Sequence, residues 1–414
     1  MRRIALFLPI LAAATLAATP AACAPPPLRL GESRPAESAL GDPSVPMARD
    51  VWVDMIRGAK RTLDLEHFYL SHRRGESLQP VLDEIGRAAA RGVQVRLLLD
   101  AGFYRTYPMP ADSLDALPNV TLRRVDYRRL AGGVQHAKFM IVDGRDAWLG
   151  SQNLDWRAMT QIHELGMRAT DPVLAAAVGA VFESDWGGAD TTVAFQPAAF
   201  AAREWPRRVV QAKGDTADVW LGASPRATTP AAIPWDRELI LQGLAAAKRE
   251  VTVQVMQYGV SGRDGGDSTI HRALIAAGAR GVKVRLIAAD WALGGHNEES
   301  LRDLAAHANV EVRISRMPEW SGGYIPFARV EHCKYMTVDG EWLWVGTSNW
   351  EPGYFVNTRG LAFLVRNGKL ARQARGIFET SWNAPTAAVW TPETKLPERV
   401  HGMEAPAGMK VYGE

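Results

Sequence analysis

The chain carries the motif H-x-K-x4-D twice, once from His136 and once from His332. The histidines lie 196 residues apart, and from each one a Trp stands at +12, a Gly at +14, a Ser or Thr at +15 and an Asn at +17. One match in 414 residues has little weight, but agreement over about 18 positions indicates an internal duplication. The matched polar residues are His136, Lys138, Asp143, Ser151 and Asn153, and then His332, Lys334, Asp339, Thr347 and Asn349.

The duplication extends upstream of both motifs. The β-prone segment 63–69 corresponds to 251–257, and RGVQVRLLLD at 91–100 corresponds to RGVKVRLI at 280–287, with an Ala-rich, helix-like stretch between the two in each copy. Strand, helix, buried strand is the βαβ pattern of an α/β fold. We therefore predict two lobes related by a pseudo-twofold axis, each a mostly parallel mixed sheet flanked by helices, with one shared active site.

Each motif predicts a hairpin. Residues 137–142 are apolar and β-prone, Asp143-Gly144 is a turn signal, and 147–149 form the return strand. Two residues apart on a strand, His136 and Lys138 project from the same face. Asp143 is seven residues after His136, so organising the turn is favoured for it over direct chemistry, although both interpretations stay open.

The composition of the chain predicts an export signal and the bounds of the segments that follow it. Arg2 and Arg3 precede an apolar run at 4–16, which is typical of an export signal and shorter than the roughly 20 residues that span a bilayer. We expect a periplasmic or secreted protein; lipidation at Cys23, which would make it an outer-membrane lipoprotein, is the alternative. The predicted segments are a signal peptide at 1–24, a Pro-rich linker at 25–46, a first lobe at 47–190, a linker at 191–236, a second lobe at 237–385 and a tail at 386–414.

The cysteine count argues against an intramolecular disulfide, and the net charge argues against long-range attraction of polyanions. The chain has only Cys23 and Cys333, so an intramolecular disulfide is not expected. The formal charge of +3 falls to +1 when Arg2 and Arg3 are removed with the signal. Because this net charge is small, the protein has no strong overall electrostatic field to attract polyanions. Any preference for phosphate must therefore come from local groups.

Two His–Lys pairs at one interface predict phosphoryl chemistry. A neutral imidazole attacks phosphorus and forms a phosphohistidine, while a second, protonated imidazole donates its proton to the leaving oxygen. The Lys138 and Lys334 ammonium groups balance phosphate charge. The four neighbours predicted to bind phosphate are Ser151, Asn153, Thr347 and Asn349. Because neither copy shows a metal-type cluster, we expect no metal and no cofactor.

An acid near the first motif suggests different roles for the two histidines. A nucleophilic imidazole needs its other nitrogen held, usually by a carboxylate. Glu164 follows the first motif, whereas the second copy has Asn357 in the comparable stretch and no nearby acid except Glu351. We therefore predict His136 as the nucleophile and His332 as the general acid and base. The alternative for Glu164 is a solvated charge at a helix start.

With these spacings, the chain resembles the phospholipase D superfamily from about residue 47 to 385. The resemblance implies a two-lobed, metal-independent phosphodiesterase that works through a phosphohistidine. It implies that the active-site residues of the family correspond to the following positions: His136, Lys138, Asn153, Glu164, His332, Lys334 and Asn349, with Asp143 and Asp339 as motif support. Asn357, where an acid is often found, departs from the family pattern and puts the support of His332 in doubt.

The flanking residues narrow the branch. NLDWR at 153–157 and GTSNW at 346–350 resemble the animal lysosomal members and their poxvirus envelope relatives. That resemblance implies either 5′-end degradation of single-stranded nucleic acid or phosphatidyl transfer between lipids. Cardiolipin synthases share the core but normally carry N-terminal membrane helices, which the chain lacks apart from the signal.

The residues leave phospholipid and single-stranded nucleic acid as equal alternatives for the substrate, and no obligate protein partner is expected. Four arginines before the first motif either follow a nucleic-acid backbone or form a solvated loop: Arg123, Arg124, Arg128 and Arg129. Eight aromatic residues are candidates for stacking on bases, packing on acyl chains or filling the core: Phe68, Tyr69, Trp156, Trp291, Trp320, Tyr324, Trp350 and Tyr354. A non-catalytic binder of polyanions or membranes is the competing class, and two intact motifs argue against it.

Overall fold

The computed structural model describes residues 25–201, 204–261, 266–397, 399 and 401–413. The predicted signal peptide and Cys23 therefore lie outside the described residues. Within them, no helix has both the length and the apolar character needed to cross a membrane.

The first lobe is built on one mixed sheet with the order β1-β9-β7-β6-β2-β4-β5. Its strands are β1 (Leu28–Ser33), β2 (Thr62–His67), β3 (Leu70–Ser71), β4 (Gln94–Asp100), β5 (Val120–Val125), β6 (Phe139–Val142), β7 (Asp146–Gly150), β8 (Leu154–Asp155) and β9 (Glu164–Ala169). Its helices are α1 (Ala48–Gly58), α2 (Gln79–Ala90), α3 (Ala101–Tyr104), α4 (Pro108–Asp115), α5 (Tyr127–Ala131), α6 (Trp156–Thr160) and α7 (Pro172–Gly188). Strands β2, β4 and β5 are parallel, the remaining pairs of this sheet are antiparallel, and β3 pairs with β8 outside it.

The second lobe repeats this plan with the order β10-β11-β17-β16-β15-β12-β13-β14-β18. Its strands are β10 (Arg207–Ala212), β11 (Asp215–Ser224), β12 (Glu250–Val255), β13 (Lys283–Ala289), β14 (Val310–Ser315), β15 (Tyr335–Val338), β16 (Trp342–Gly346), β17 (Gly360–Arg366) and β18 (Ala387–Trp390). Its helices are α8 (Asp236–Ala246), α9 (Thr269–Ala279), α10 (Gly295–Ala305), α11 (Pro352–Val356) and α12 (Gly368–Trp382). Strands β12, β13 and β14 form the parallel part, as β2, β4 and β5 do in the first lobe.

Three apolar clusters hold these layers together. One packs α1 and α2 on the outer face of the first sheet, and another packs α8 and α9 on the outer face of the second. The third lies between the lobes and contains Phe182 from α7 and Phe378 from α12, together with strand residues of both sheets. The α/β class and the two-lobed arrangement are thus confirmed, and the lobes share a continuous core.

Equivalent helices start in the same way in both lobes. The Asp171 carboxylate accepts hydrogen bonds from the first backbone N–H groups of α7, and the Asn367 side chain does the same for α12. Both caps lie 35 residues after their motif histidines, so the duplication extends to the start of the helices that join the lobes.

Three segments predicted as linkers or tail contain strands, and those parts of the prediction are wrong. Strand β1, within the Pro-rich stretch 25–46, pairs antiparallel with β9. Strands β10 and β11, within 191–236, join the second sheet, and β18, within 386–414, covers its far edge beside β14. Composition misled because β1, β11 and β18 gain hydrogen bonds from strands that are remote in sequence, and β10 joins the sheet through β11.

Candidate active site

The two motifs form matching hairpins at the interface between the lobes. Asp143 and Gly144 have φ angles of +53° and +64°, and Asp339 and Gly340 have φ angles of +54° and +66°, so both central turn residues are left-handed in each copy. The strands that these turns join, β6–β7 and β15–β16, pair as the sequence predicts. Each hairpin presents its histidine just before the first strand begins.

His136 is held by the opposite lobe. Its Nδ1 lies 3.0 Å from the backbone carbonyl oxygen of Thr347, and its backbone N–H donates to the carbonyl of Arg359 at 3.1 Å. The ring centroid lies 4.9 Å from those of Phe68 and Tyr354. Because Nδ1 is engaged, Nε2 is the nitrogen available to a ligand in the cavity.

His332 is also held across the interface, but by a carboxylate. Its Nδ1 lies 2.8 Å from Oε2 of Glu164, which is fully buried. The expectation that Glu164 supports His136 is therefore wrong. The position equivalent to Glu164, 28 residues after the second motif histidine, is Gly360, and a Cβ there would collide with the Ser348 hydroxyl. The second lobe thus has no room for an acid that would support His136 from this position.

Both motif lysines lie fully buried beside their histidines. Nζ of Lys138 donates to the carbonyl of His136, and Nζ of Lys334 donates to the carbonyl of His332 at 2.6 Å. Lys138 also lies 5.2 Å from the ring centroid of Phe68. Both His–Lys pairs precede their strands, which begin at Phe139 and Tyr335, so the predicted placement of each pair on a strand is wrong.

The motif asparagines reach the cavity and the motif hydroxyls do not. Asn153 and Asn349 line the cavity wall, and neither Oδ1 has a partner among the residues that the structure describes. Ser151 Oγ bonds the backbone of Leu165, and Thr347 Oγ1 accepts from a backbone N–H of β17. The prediction that both hydroxyls bind phosphate is therefore not supported by their positions.

The two motif aspartates hold the turns and lie away from the cavity. The Asp143 carboxylate accepts hydrogen bonds from the backbone N–H groups of Lys60, Arg61 and Thr62. Asp339 binds the equivalent N–H groups of residues 248–250. These contacts support turn organisation, the favoured interpretation, and neither carboxylate lines the cavity.

One cavity of about 330 Å³ receives both histidines. Its walls are largely aromatic, with Phe68, Tyr69, Phe103 and Tyr107 from the first lobe and Trp291, Phe327 and Tyr354 from the second. Arg157 adds a guanidinium to the wall and is held there by the Asp155 carboxylate at 2.7 Å. The cavity therefore combines two imidazoles and one guanidinium with largely aromatic walls.

Several of these wall residues were missed from the sequence. Phe103 and Tyr107 follow β4, as Trp291, one of the eight aromatic candidates, follows β13, so all three stand at the carboxyl ends of parallel strands, where α/β folds collect ligand-binding residues. That rule would have found Phe103 and Tyr107. Phe327 lies in a long connection and has a φ of +57°, and no sequence pattern marks it.

Other candidate residues lie elsewhere. Among the eight aromatic candidates, Trp156, Trp320, Tyr324 and Trp350 are absent from the cavity wall. The arginine cluster is exposed on β5 and α5. Arg123 and Arg124 stack over Trp186 and Tyr104, and none of the four arginines lines the cavity. This placement favours a surface role for the cluster.

Burial dominates the electrostatics of the site. Burial, and then the charges of Lys138 and Lys334, lower the pKa of both His136 and His332 well below the ordinary value. Burial also lowers the pKa of Lys334 to about 7 and raises the pKa of Glu164 to about 8. The histidines are therefore neutral near pH 7, and an anion in the cavity would restore charge balance.

The described residues also contain a buried cluster of metal-ligating types, formed by His163, Glu331 and Cys333. Both ring nitrogens of His163 already lie at hydrogen-bonding distance from carboxylates, 2.5 Å from Glu331 and 2.7 Å from Glu32. The cluster is thus a closed hydrogen-bonded network. The sequence did not predict it because its members come from both copies.

The family of the chain follows from comparison with known proteins. A family model described as "Cardiolipin synthase, PLD-like domain" matches residues 52–186 and 240–382. The chain is 32% identical over 385 residues to "5'-3' exonuclease PLD3" of Pongo abelii, covering 84% of this chain and 76% of that protein. It is 29% identical over 391 residues to "Phospholipase D Z" of Dictyostelium discoideum, covering 86% and 89% respectively.

Solved structures support the same fold. Phosphatidylserine synthase from Haemophilus influenzae Rd KW20 superposes with a TM-score of 0.60 at 14% identity, covering 88% of this chain and 87% of that one. The resemblance stated from the motifs is thereby confirmed, including the branch that their flanking residues indicate. With two His–Lys pairs in one cavity and matches over both lobes, the chain belongs to the phospholipase D superfamily of phosphodiesterases.

Proposed function

We propose that the protein cleaves single-stranded nucleic acid from its 5′ end through a phosphohistidine on His332. The observation that carries the proposal is the cavity itself, which two neutral imidazoles line beneath aromatic walls, with Lys138 and Lys334 fully buried against the histidine backbone. Imidazoles and lysines suit a phosphodiester, and aromatic faces suit nucleobases.

The assignment of the nucleophile rests on Glu164. A carboxylate that accepts the Nδ1 proton of His332 leaves a lone pair on Nε2 and stabilises the positive ring that forms on attack. His136 has only the Thr347 carbonyl oxygen at its Nδ1. This reverses the roles expected from the sequence.

His136 then acts first as the general acid and afterwards as the general base. Nε2 of His332 forms a bond to phosphorus as the bond from phosphorus to the leaving oxygen breaks, and protonated His136 gives its proton to that oxygen. A water molecule next loses a proton to His136 and attacks phosphorus, which releases His332. Lys138 and Lys334 lower the pKa of His136 after burial does, and a bound diester anion offsets them, so the acid form becomes accessible with substrate in place.

The surroundings of His136 favour an extended chain as substrate. A second depression of about 900 Å³ adjoins the cavity through shared residues Thr106 and Tyr107. Arg74 and His72 line it together with apolar side chains, which suits a strand that continues past the reacting phosphate. The relative named as a 5'-3' exonuclease adds support.

A phospholipid is the second candidate, since the same depression carries Leu82, Met109 and Leu114, and Met109 is 75% exposed. Such a surface also suits acyl chains, and one relative is named a phospholipase D.

A side-by-side assay separates the two substrates. Protein beginning at Leu28 is given a 5′-hydroxyl single-stranded oligonucleotide, or phosphatidylglycerol vesicles with a primary alcohol present. We expect shortening of the oligonucleotide from its 5′ end, slowed by a 5′-phosphate, because the added charge competes for the same lysines. Phosphatidyl transfer without nucleotide release would reject the nucleic-acid proposal and support the lipid one.

We also propose that the protein is exported, on the basis of Arg2, Arg3 and the apolar run 4–16. Fractionation of cells that express the full chain tests this, and Cys23→Ser tests lipidation. Release of the variant from a membrane fraction that retains the wild type would support an anchor at Cys23, whereas identical fractionation would exclude it.

A further inference from the structure

Behind each catalytic histidine, a residue of the opposite lobe bonds its backbone. The His332 N–H donates to the carbonyl of His163 at 2.9 Å, and the His136 N–H donates to that of Arg359 at 3.1 Å. His163 and Arg359 are equivalent, because each lies 27 residues after its own motif histidine. The two copies therefore place different basic side chains at the same point of the interface.

Arg359 is a permanent cation in its position. Its guanidinium is fully buried and makes two hydrogen bonds to Asp185, at 2.7 and 2.8 Å. Glu66 is also buried nearby and accepts from Gln135, the residue before His136. The first motif is thus backed by a guanidinium paired with Asp185, and burial raises the pKa of the nearby Glu66 carboxyl well above its ordinary value.

His163 occupies the equivalent position between two other acids. Nδ1 lies 2.5 Å from Oε2 of Glu331 and Nε2 lies 2.7 Å from Oε1 of Glu32, and all three side chains are buried. Glu331 precedes His332, and Glu32 belongs to β1. When both carboxylates are ionised, both ring nitrogens must donate, and the ring is then a cation.

The groups facing His163 come from several elements. Glu32 also accepts from Arg34, and Glu331 also accepts from Gln254 of β12. Cys333 adjoins the ring, and burial raises its pKa to about 12, which keeps the thiol neutral. Burial opposes the charge on His163, but the hydrogen bond to Cys333 and the Glu331 and Glu32 carboxylates outweigh it and raise the pKa of His163 well above the ordinary value.

We propose that His163 is a positioning residue whose charged ring holds His332 and Glu164 in register. The ring ties Glu331, next to His332, to β1, while the following residue, Glu164, bonds the His332 ring. Loss of the proton would leave two buried carboxylates with one donor between them, and their repulsion would open the interface on the His332 side. The His136 side, backed by Arg359, would not respond.

Two kinds of measurement test the proposal on the full chain. In the first, 15N-histidine NMR follows the His163 ring, assigned with His163→Asn. Both ring nitrogens are expected to carry protons at about pH 7.5, where an ordinary histidine is mostly neutral. A ring with one unprotonated nitrogen at that pH would overturn the proposal, whatever the substrate proves to be.

In the second, kinetics separate positioning from simple folding. His163→Asn is expected to lower kcat about tenfold on any cleaved diester with little change in KM, and His163→Lys, which keeps a cation, to recover part of the loss. The matched control is His271→Asn. His271 is also buried and bonds Tyr258 and Asp303 through its two nitrogens, but it lies away from the cavity wall. Equal kcat for His163→Asn and wild type would reject the role.

Stability against pH gives a further check with a defined sign. Because the pKa of His163 is raised on folding, its contribution is complete below the unfolded value of about 6.5 and is lost as pH rises through the folded value. The difference in urea unfolding free energy between wild type and His163→Asn should therefore shrink at alkaline pH. A difference that grows with pH would mean that the ring is neutral in the native state.

Discussion

Oε2 of Glu164 in the first lobe lies 2.8 Å from Nδ1 of His332 in the second. Nδ1 of His136 in the first lobe likewise lies 3.0 Å from the Thr347 carbonyl oxygen of the second lobe. Each imidazole is thus oriented by the lobe that does not carry it. A lobe alone would hold one His–Lys pair without its orienting partner, so the duplicated chain, and not either copy, is the unit that can react.

The two histidines should separate cleanly with a diester whose leaving group is p-nitrophenol, which needs no acid to depart. With His136→Asn we expect a burst of nitrophenolate and an acid-labile label on the protein, because His332 still attacks while the later water attack lacks its base. With His332→Asn neither should appear. Label on His332→Asn together with none on His136→Asn would return the nucleophile to His136.

Replacing Glu164 tests its contact with His332. Glu164→Gln keeps the size but removes the ionisable carboxyl, and above the Glu164 pKa of about 8, where the wild-type group is charged, kcat should fall about 10²- to 10⁴-fold with a small change in KM. Glu351→Gln is the control, since that acid is also largely buried but accepts from Asn297. Steady-state kinetics of both variants measure kcat and KM. A larger fall in kcat for Glu351→Gln than for Glu164→Gln would contradict the role of Glu164 as the partner of His332.

Substrate affinity should depend on the charge of Lys334. Since burial lowers the pKa of Lys334 to about 7, the ammonium is lost as pH rises past that value, and the KM for a diester should rise. A charge-assisted hydrogen bond corresponds to roughly a tenfold change in KM between about pH 6 and about pH 8. Lys334→Arg stays charged and should flatten this profile. Identical pH profiles for the two proteins would exclude Lys334 as the cause.

The motif aspartates should affect stability and leave turnover intact. Asp143→Ala removes the acceptor for three backbone N–H groups. We expect a loss of about 2 kcal/mol in the free energy of unfolding. Asp339→Ala should behave alike, and kcat per folded molecule should stay within about twofold of wild type if the carboxylates only organise turns. Calorimetry with active-site titration measures both, and a fall in kcat of several orders of magnitude would restore a catalytic role.

The aromatic wall should control oligonucleotide binding. Phe103 is 40% exposed and packs with its ring centroid 3.9 Å from that of Phe68, so one face is available to a base. Phe103→Ala should raise KM for a single strand about tenfold, as expected for loss of one stacking partner, and change kcat little. Val210→Ala, an exposed apolar residue on β10, is the control. Unchanged binding by Phe103→Ala would place the bases elsewhere.

The sequence alone determined the duplication, the α/β class and the identity of the His, Lys and Asn residues that meet at the site. These features are local and occur twice, so each copy supports the interpretation of the other. The turn at Asp143 was equally readable, because two left-handed residues in succession demand Asp or Asn followed by Gly.

Only the tertiary structure showed which of the two histidines Glu164 contacts. The contact joins residues 168 positions apart in different copies, and the equivalent position in the second copy is occupied by Gly360. Packing likewise decided that β1, β10, β11 and β18 join the sheets, since β1, β11 and β18 pair with strands remote in sequence and β10 pairs with β11. It also placed His163 between Glu32 and Glu331, because these residues lie 131 and 168 positions away along the chain and meet only in the folded protein.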